Sequence, residues 1–190
     1  MGRSMVGHLM KQGHTLQVND IRKANTQPLL DNGATFEASP IELAKKCDVL
    51  FMMLGYPKDV ENMTLHPETG ILKHMKPGSF LVDHTTSTPS LAERLDVECK
   101  AAGVFSVDAP VSGGDMGARN GKLVTMIGGA KDDVDACRPL LDCYSRECAH
   151  MGDAGAGQHT KAANQVMIAT AMTGVCEALI YGHKAGLNLH

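Results

Sequence analysis

Asp48-Val-Leu-Phe-Met-Met-Leu54, which runs directly into Gly55-Tyr56-Pro57, is the stretch that decides the fold of this chain. A short run that is apolar at nearly every position and ends in a turn signal predicts a strand that is buried on both faces. Strands of that kind belong mainly to parallel sheets, because helices cover both sides of such sheets. The stretch therefore predicts a parallel sheet packed between helices.

The sequence on either side repeats this pattern. Further strands are predicted at Thr15–Asn19, Ser79–Asp83, Val104–Asp108 and Leu123–Ile127. Helical patterns lie between the strands, at Gly2–Gln12, Lys23–Asn32, Ser39–Lys46, Pro57–Asn62, Pro89–Ala102 and Asp132–Leu141. This alternation predicts an α/β fold with a doubly wound, mostly parallel sheet.

The pattern changes near the end of the chain. From about Gly157 the strand signals stop, and an apolar helical stretch runs to about Ala185. We therefore predict a boundary between a first domain, residues 1–156, and the beginning of a helical domain, residues 157–190.

Composition excludes several classes of function. The chain has 190 residues, a formal net charge of −3 and scattered basic residues, so no nucleic-acid partner is predicted. The cysteines form no CxxC pair and no His/Cys metal spacing, which predicts no metal site and favours a reducing, intracellular setting. No apolar run reaches about 18 residues, and the stretch 162–176 is too short and too polar for a span, so no membrane association is predicted.

Lys161 is the only fully charged side chain between Asp153 and Glu177. The helical stretch around it is largely apolar, and a helix of that kind is normally buried. Burial of an isolated ammonium group costs much free energy, so a lysine there has fixed partners, a shifted pKa or a catalytic task. The alternative is a lysine whose charged end reaches solvent from the first turn of a core helix.

Gly2 opens the first helical pattern, and Asp20 ends the strand pattern that follows it. In a βαβ unit that binds a dinucleotide, the helix N-terminus holds the pyrophosphate and an acidic residue at the end of the next strand binds the ribose hydroxyls. A carboxylate at Asp20 would repel a 2′-phosphate, which favours NAD over NADP, although Arg22 could pair with such a phosphate. Because the glycine signature is incomplete, Asp20 could also be a strand-end turn residue.

Polar or glycine-rich loops follow three of the predicted strands, where ligands bind in open α/β sheets. They read Leu54-Gly55-Tyr56-Pro57, Asp83-His84-Thr85-Thr86-Ser87 and Asp108-Ala109-Pro110-Val111-Ser112-Gly113-Gly114. The segment Ser112–Gly114 offers a hydroxyl and two backbone amides that could hold a carboxylate. An ordinary Ser/Gly turn is the alternative.

Three motifs occur in order along the chain. They are Asp108-Ala-Pro-Val-Ser-Gly-Gly114, then Gly121 with Met126-Ile-Gly-Gly129, then Gly155-Ala-Gly-Gln-His-Thr-Lys161-Ala-Ala-Asn164-Gln165. Together they resemble the β-hydroxyacid dehydrogenase family, which includes 3-hydroxyisobutyrate dehydrogenase, tartronate semialdehyde reductase and, more distantly, 6-phosphogluconate dehydrogenase. The resemblance covers essentially the whole chain. It implies a Rossmann-type NAD-binding domain followed by the long first helix of an all-α C-terminal domain.

The resemblance also implies roles for individual residues. The cofactor-binding residues are the end of the glycine-rich turn, Met1 and Gly2, the ribose-binding Asp20, the loop residues Leu54 and Gly55, and the pair Thr85 and Thr86. The family more often has Pro or Ser where this chain has Gly55. The substrate-carboxylate loop is Ser112, Gly113 and Gly114. Lys161 matches the catalytic lysine, and the family's asparagine corresponds to Asn164 or to Gln165.

By this resemblance, the protein is an NAD(P)-dependent oxidoreductase that transfers hydride between nicotinamide and a small 3-hydroxy acid or its semialdehyde, with Lys161 as general acid/base. NAD is the expected cofactor and NADP the alternative. A homodimer or homotetramer is expected through a helical domain beyond this chain, in the cytoplasm or in mitochondria. The alternative function is an incomplete, non-catalytic dinucleotide-fold module for binding or assembly, because we expect the first strand and most of the helical domain to be missing.

Overall fold

The computed structural model describes residues 1–189, in which strands and helices alternate. The strands are β1 (Gln17–Val18), β2 (Thr35–Phe36), β3 (Val49–Met52), β4 (Phe80–Asp83), β5 (Phe105–Asp108), β6 (Val111–Ser112), β7 (Leu123–Gly128) and β8 (Ser145–Gly152). The α-helices are α1 (Gly2–Lys11), α2 (Gln27–Leu30), α3 (Pro40–Lys46), α4 (Pro57–Leu65), α5 (Pro89–Ala101), α6 (Gly114–Arg119), α7 (Lys131–Leu141) and α8 (Ala156–Lys184). Two short 3-10 turns lie at Lys23–Thr26 and Leu72–His74.

Two sheets are formed. Strands β1 and β2 pair in parallel, and the other six strands form a sheet in the order β3-β4-β5-β7-β6, with β8 also paired to β7. Within the larger sheet β3, β4 and β5 are mutually parallel, as are β7 and β8, whereas β5 and β6 run antiparallel to β7. The mostly parallel sheet is therefore confirmed. Its division into two was not predicted, and it arises because no strand among residues 1–189 pairs with both β1 and β3.

Helices cover both faces of the larger sheet, as a doubly wound fold requires. Adjacent residues of β4 point to opposite faces, so that Leu81 packs with α3, α4 and α5 while Val82 packs with α1, α6 and α7. Helix α1 also joins the two sheets, because Met5 and Leu9 pack on the larger sheet while Val6 and Met10 pack on the core beneath β1 and β2.

The predicted strands and helices are all present close to their expected bounds, with Lys23–Asn32 divided into a 3-10 turn and α2. The sequence analysis missed strands β2, β6 and β8 and helix α6. Half of the residues of β8 are polar and half are exposed, so it lacks the apolar pattern of a core strand. Strands β2 and β6 are two residues long, and glycines begin and interrupt α6, which leaves too little local pattern to detect.

Helix α8 is 29 residues long, and only its first turns are anchored in the described structure. Gly157, Gln158 and Lys161 are buried, while the remainder exposes many apolar side chains, among them Met167, Met172 and Ile180. By length and composition alone, α8 could cross a membrane. The helix is longer than the stretch 162–176, which was too short and too polar to predict a span. A helix of a protein core meets the same criterion, so this is weak evidence for a span.

Candidate active site at the carboxyl ends of the strands

Three parallel strands end side by side at one edge of the larger sheet. Met52 of β3 is in register with Asp83 of β4, and Asp83 is in register with Asp108 of β5. The loops that follow these residues therefore emerge together, at the position where open α/β sheets bind their ligands. The predicted cofactor residues Leu54, Gly55, Thr85 and Thr86 lie in these loops.

Hydrogen bonds join the loops after β3 and β4. The backbone N–H of Leu54 donates to Thr85 Oγ1 over 2.9 Å, and the backbone N–H of Thr85 donates to Asp83 Oδ1 over 2.9 Å. Thr85 is 1% exposed, so its hydroxyl contacts protein, whereas the neighbouring Thr86 is exposed. The Ser87 hydroxyl is buried without a hydrogen-bond partner. Thr86 thus offers the accessible hydroxyl of the predicted pair.

Asp108 anchors the beginning of α8 to the end of β5. Its two carboxylate oxygens accept hydrogen bonds from the backbone N–H groups of Gly155 and Gln158, over 2.8 and 2.9 Å. The first turn of a helix leaves such N–H groups without partners and carries a partial positive charge, so a carboxylate stabilises it. Asp108 therefore determines where α8 leaves the sheet.

The Gln158 side chain ties the same turn to the loop after β4. Its Nε2 donates to the carbonyl oxygen of Thr85 and its Oε1 accepts from the backbone N–H of Ser87, each over 2.8 Å. Gln158 is 1% exposed. The amide thus bonds to the residues immediately before and after Thr86, and it holds α8 against the predicted cofactor loop.

Lys161 follows Gln158 by three residues and so lies on the same side of α8. It is 8% exposed, and within residues 1–189 its side chain makes no hydrogen bond or ion pair. Burial lowers the pKa of its ammonium group, with no charged group opposing that effect. Asn164 is half-buried and donates to Gln165 Oε1 over 3.2 Å, while Gln165 is exposed.

Burial also shifts the pKa values of three groups at the ends of β4 and β5. It raises the pKa of Asp83 and that of Asp108 to about 6, against the N–H donors that favour their ionised forms. It lowers the pKa of His84 to about 4. His84 Nδ1 lies 2.6 Å from the carbonyl oxygen of Ala109, which can only accept, so Nδ1 carries the proton and Nε2 accepts from the Tyr144 hydroxyl at 2.8 Å. The neutral imidazole is thus held in one tautomer.

Gly2, one of the predicted cofactor residues at the start of the chain, lies beside this edge. Gly2 packs against Met53, the residue before Leu54, where a β-carbon on Gly2 would be 3.6 Å from Met53 Cβ. No acidic side chain occupies the first turn of α1, and no side chain caps it, so its N–H groups suit an anion such as a pyrophosphate. Asp20 follows β1 and accepts hydrogen bonds through Oδ1 from Arg22 N and Asn25 Nδ2. A carboxylate held in this way fits a ribose hydroxyl donor.

The predicted substrate loop is less closely connected to the edge. Ser112 ends β6, and Gly113 and Gly114 are exposed where α6 begins. His8 of α1 reaches the other end of α6, where its Nε2 is 3.1 Å from the carbonyl oxygens of Ala118 and Arg119. No hydrogen bond among the described residues joins the loop to Lys161, so the carboxylate-binding role remains a prediction.

The sequence analysis assigned no function to Gln158, Asp83 or Asp108. A usable signal existed for the two aspartates, because each is a carboxylate that ends an apolar, buried strand. Gln158 lies within the third motif, but its role could not be predicted, since its partners are 71 and 73 residues away.

The sequence matches two models of known protein families. Residues 1–152 match the family model described as the NAD binding domain of 6-phosphogluconate dehydrogenase. Residues 155–190 match the model described as NAD-binding of NADP-dependent 3-hydroxyisobutyrate dehydrogenase. The chain belongs to the β-hydroxyacid dehydrogenase family. Its cofactor is accordingly NAD or NADP.

Individual members of the β-hydroxyacid dehydrogenase family match over nearly the whole chain. The Arabidopsis thaliana protein named "Probable 3-hydroxyisobutyrate dehydrogenase-like 1, mitochondrial" is 46% identical over 189 residues, which are 100% of this chain and 56% of that protein. The mitochondrial 3-hydroxyisobutyrate dehydrogenase of Mus musculus is 35% identical over 189 residues, 99% of this chain and 56% of that protein. Among solved structures, Mycobacterium tuberculosis 3-hydroxyisobutyrate dehydrogenase with L-serine superposes with a TM-score of 0.91 at 28% identity, over 100% of this chain and 64% of that chain. This chain thus spans between 56% and 64% of the length of these relatives.

Proposed function

We propose that the protein containing this chain is an NAD(P)-dependent dehydrogenase or reductase that acts on a small 3-hydroxy acid or its semialdehyde, with Lys161 as general acid/base. The observation that carries the proposal is the environment of Lys161. The side chain is buried and unpaired within the described residues, and its helix begins against the loops where a nucleotide cofactor would bind. Relatives named 3-hydroxyisobutyrate dehydrogenase support the substrate class.

In the direction of oxidation, the neutral amine of Lys161 accepts the proton of the substrate hydroxyl, and in reduction the ammonium group returns it. The nicotinamide, when bound, supplies the hydride acceptor or donor. The lowered pKa of Lys161 increases the fraction of neutral amine near neutral pH, which suits a group that must both take and give a proton. Asn164, which is half-buried one turn later, or Gln165 donates a hydrogen bond to the substrate oxygen. The Ser112 hydroxyl and the N–H groups of Gly113 and Gly114 hold the substrate carboxylate.

The test is Lys161→Met in the full-length protein, because methionine has a similar length and no titratable group. With a panel of 3-hydroxy acids, including 3-hydroxyisobutyrate, we expect kcat to fall by about 10³-fold, since general acid/base groups contribute about 10²- to 10⁴-fold. The Kd for NAD, measured by calorimetry, should stay within about threefold, because Lys161 takes no part in holding the dinucleotide in this mechanism. Lys184→Met is the matched control, being an exposed lysine on the same helix. Near-normal turnover of Lys161→Met would contradict the proposal.

The alternative is a non-catalytic dinucleotide-fold module. It predicts that the full-length protein binds NAD or NADP but turns over no member of the panel. The same measurements on the wild-type protein distinguish the two functions before any substitution is made.

Cofactor preference, assembly and location follow as further parts of the proposal. Asp20 favours NAD, since its carboxylate would repel a 2′-phosphate. The exposed apolar side chains of α8 suit packing against a helical domain that supplies the contacts of a homodimer or homotetramer. The mitochondrial names of relatives agree with an intracellular protein.

A further inference from the structure

We propose that Gln158 is a positioning residue, which sets the distance between Lys161 and the nicotinamide site by clamping the loop Thr85–Ser87 onto the first turn of α8. The inference rests on the proposed role of Lys161. The side chain of Gln158 hydrogen-bonds to the backbone of Thr85 and Ser87. It does not hydrogen-bond to the side chain of Lys161 or to that of any residue predicted to touch the substrate.

The geometry of the clamp is specific to a glutamine amide. Nε2 donates to the Thr85 carbonyl and Oε1 accepts from the Ser87 N–H, so one donor and one acceptor are required at a separation that only an amide side chain provides. The two bonds bracket Thr86, the residue whose exposed hydroxyl is predicted to lie beside the nicotinamide ribose. Because Gln158 is 1% exposed, water cannot replace either bond.

Gln158 is also the point where two independent connections meet. Its backbone N–H donates to Asp108 Oδ2 over 2.9 Å, which fixes the residue to the end of β5. Its side chain reaches Thr85, whose hydroxyl accepts from Leu54 N in the loop after β3. A continuous series of hydrogen bonds thus joins the ends of β3, β4 and β5 to α8.

Lys161 depends on this series for its location. Its side chain makes no hydrogen bond within residues 1–189, so the position of its amine is determined by the placement of α8. Gln158 and Lys161 are three residues apart, or about 4.5 Å along the helix axis. A shift of the loop relative to this turn therefore changes the separation between amine and nicotinamide almost directly, and a misplacement of about 1 Å can cost about 10²-fold in rate.

The experiment is Gln158→Met in the full-length protein, with Thr160→Val as the matched control. Methionine keeps the length and apolar bulk of the side chain but removes both bonds. Thr160 lies two residues on, and its hydroxyl bonds only within α8, to the carbonyl oxygen of Ala156. We measure kcat and KM with a 3-hydroxy acid, the Kd for NAD, and amide hydrogen exchange at Ser87.

For Gln158→Met we expect kcat to fall by about 10- to 100-fold, with the Kd for NAD within about threefold of wild type. Exchange at Ser87 should accelerate by at least about tenfold, because its N–H loses its acceptor. Thr160→Val should leave all four quantities near their wild-type values. If Gln158→Met fails to fold, Gln158→Asn is measured instead; its amide is too short to reach both partners, so it should lower kcat by about tenfold.

A kcat within about twofold of wild type in the folded variant would overturn the positioning role, whatever the rate of amide hydrogen exchange at Ser87. A parallel loss of NAD binding would overturn it too, because that pattern indicates general damage to the domain. If the wild-type enzyme itself turns over no hydroxy acid, the proposed function fails and this inference fails with it, while Ser87 exchange still reports whether the clamp exists.

Discussion

Substituting Gly157 by alanine tests whether close contact between α8 and the sheet holds the candidate site together. Gly157 lies in the first turn of α8, where a β-carbon would be 2.6 Å from the carbonyl oxygen of Met126 and 2.7 Å from both the carbonyl oxygen and Oδ2 of Asp108. Two of these atoms belong to the backbone of β5 and β7, which cannot rotate away. The helix must therefore move.

The size of the effect follows from these distances. Ordinary contact begins at 3.4 Å, whereas the shortest of these distances is 2.6 Å, so α8 must withdraw by roughly 0.8 Å in the region of Gly157. Overpacking of this kind costs about 1–3 kcal/mol, and the greater helix propensity of alanine offsets about 1 kcal/mol of it. We expect a net loss of about 0–2 kcal/mol in the free energy of unfolding. The same displacement carries Lys161 away from the sheet, so turnover should fall by about 10- to 100-fold.

Urea unfolding and steady-state kinetics of the full-length protein measure both quantities. The matched control is Gly7→Ala in α1, where a β-carbon meets nothing within 4 Å. That substitution should raise stability by about 0.5–1 kcal/mol, because it gains helix propensity without a clash. If Gly157→Ala is as stable as Gly7→Ala and retains its turnover, the close approach of α8 to β5 and β7 is wrong.

Two further substitutions test the buried groups beside the site. Asp108→Asn should lower the free energy of unfolding by about 2–3 kcal/mol at pH 7, because the amide puts a donor in place of one acceptor of the α8 N–H groups. The exposed control Asp132→Asn should change the free energy of unfolding by less than about 0.5 kcal/mol. Equal urea midpoints for the two variants would contradict the anchoring role. The pKa of His84 is lowered from 6.5 to about 4 in the folded protein, so between these values the folded state binds fewer protons than the unfolded state, and stability decreases as the pH is lowered. Between pH 7 and pH 4, the free energy of unfolding of His84→Phe, measured by urea titration, should therefore decrease by up to about 3 kcal/mol less than that of the wild type. Parallel pH profiles of the two proteins would refute burial of a neutral His84.

Much of the fold could be predicted, because secondary structure depends largely on sequence patterns within a few residues. The apolar runs of β3 and β4, and the helical spacing between them, are readable within windows of a few residues. Strand β8 could not be predicted in this way, because it pairs with β7 while half of its residues are exposed. The division of the sheet was also beyond prediction, since pairing between strands depends on which segments meet in space.

The residue roles in the candidate site stay predictions, and the hydrogen bonds that connect these residues could not be predicted from the sequence. The resemblance pointed to Lys161, Thr85 and Thr86 as functional residues. It did not show that the Thr85 hydroxyl is used within the protein while Thr86 remains exposed. Nor did it identify Gln158, whose polar character is common on helices and acquires meaning only from its partners.

The sequence by itself determined the alternation of strands and helices, the apolar character of α8 and the presence of one lysine within it, because these properties depend on residues close together in the chain. The tertiary structure alone decided that the Lys161 side chain is buried and has no partner among residues 1–189, and that Asp108 and Gln158 hold its helix in place. Asp108 and Gln158 are 50 residues apart, and Gln158 and Thr85 are 73 apart. Burial and hydrogen bonding at such separations depend on how the whole chain packs, so no local pattern encodes them.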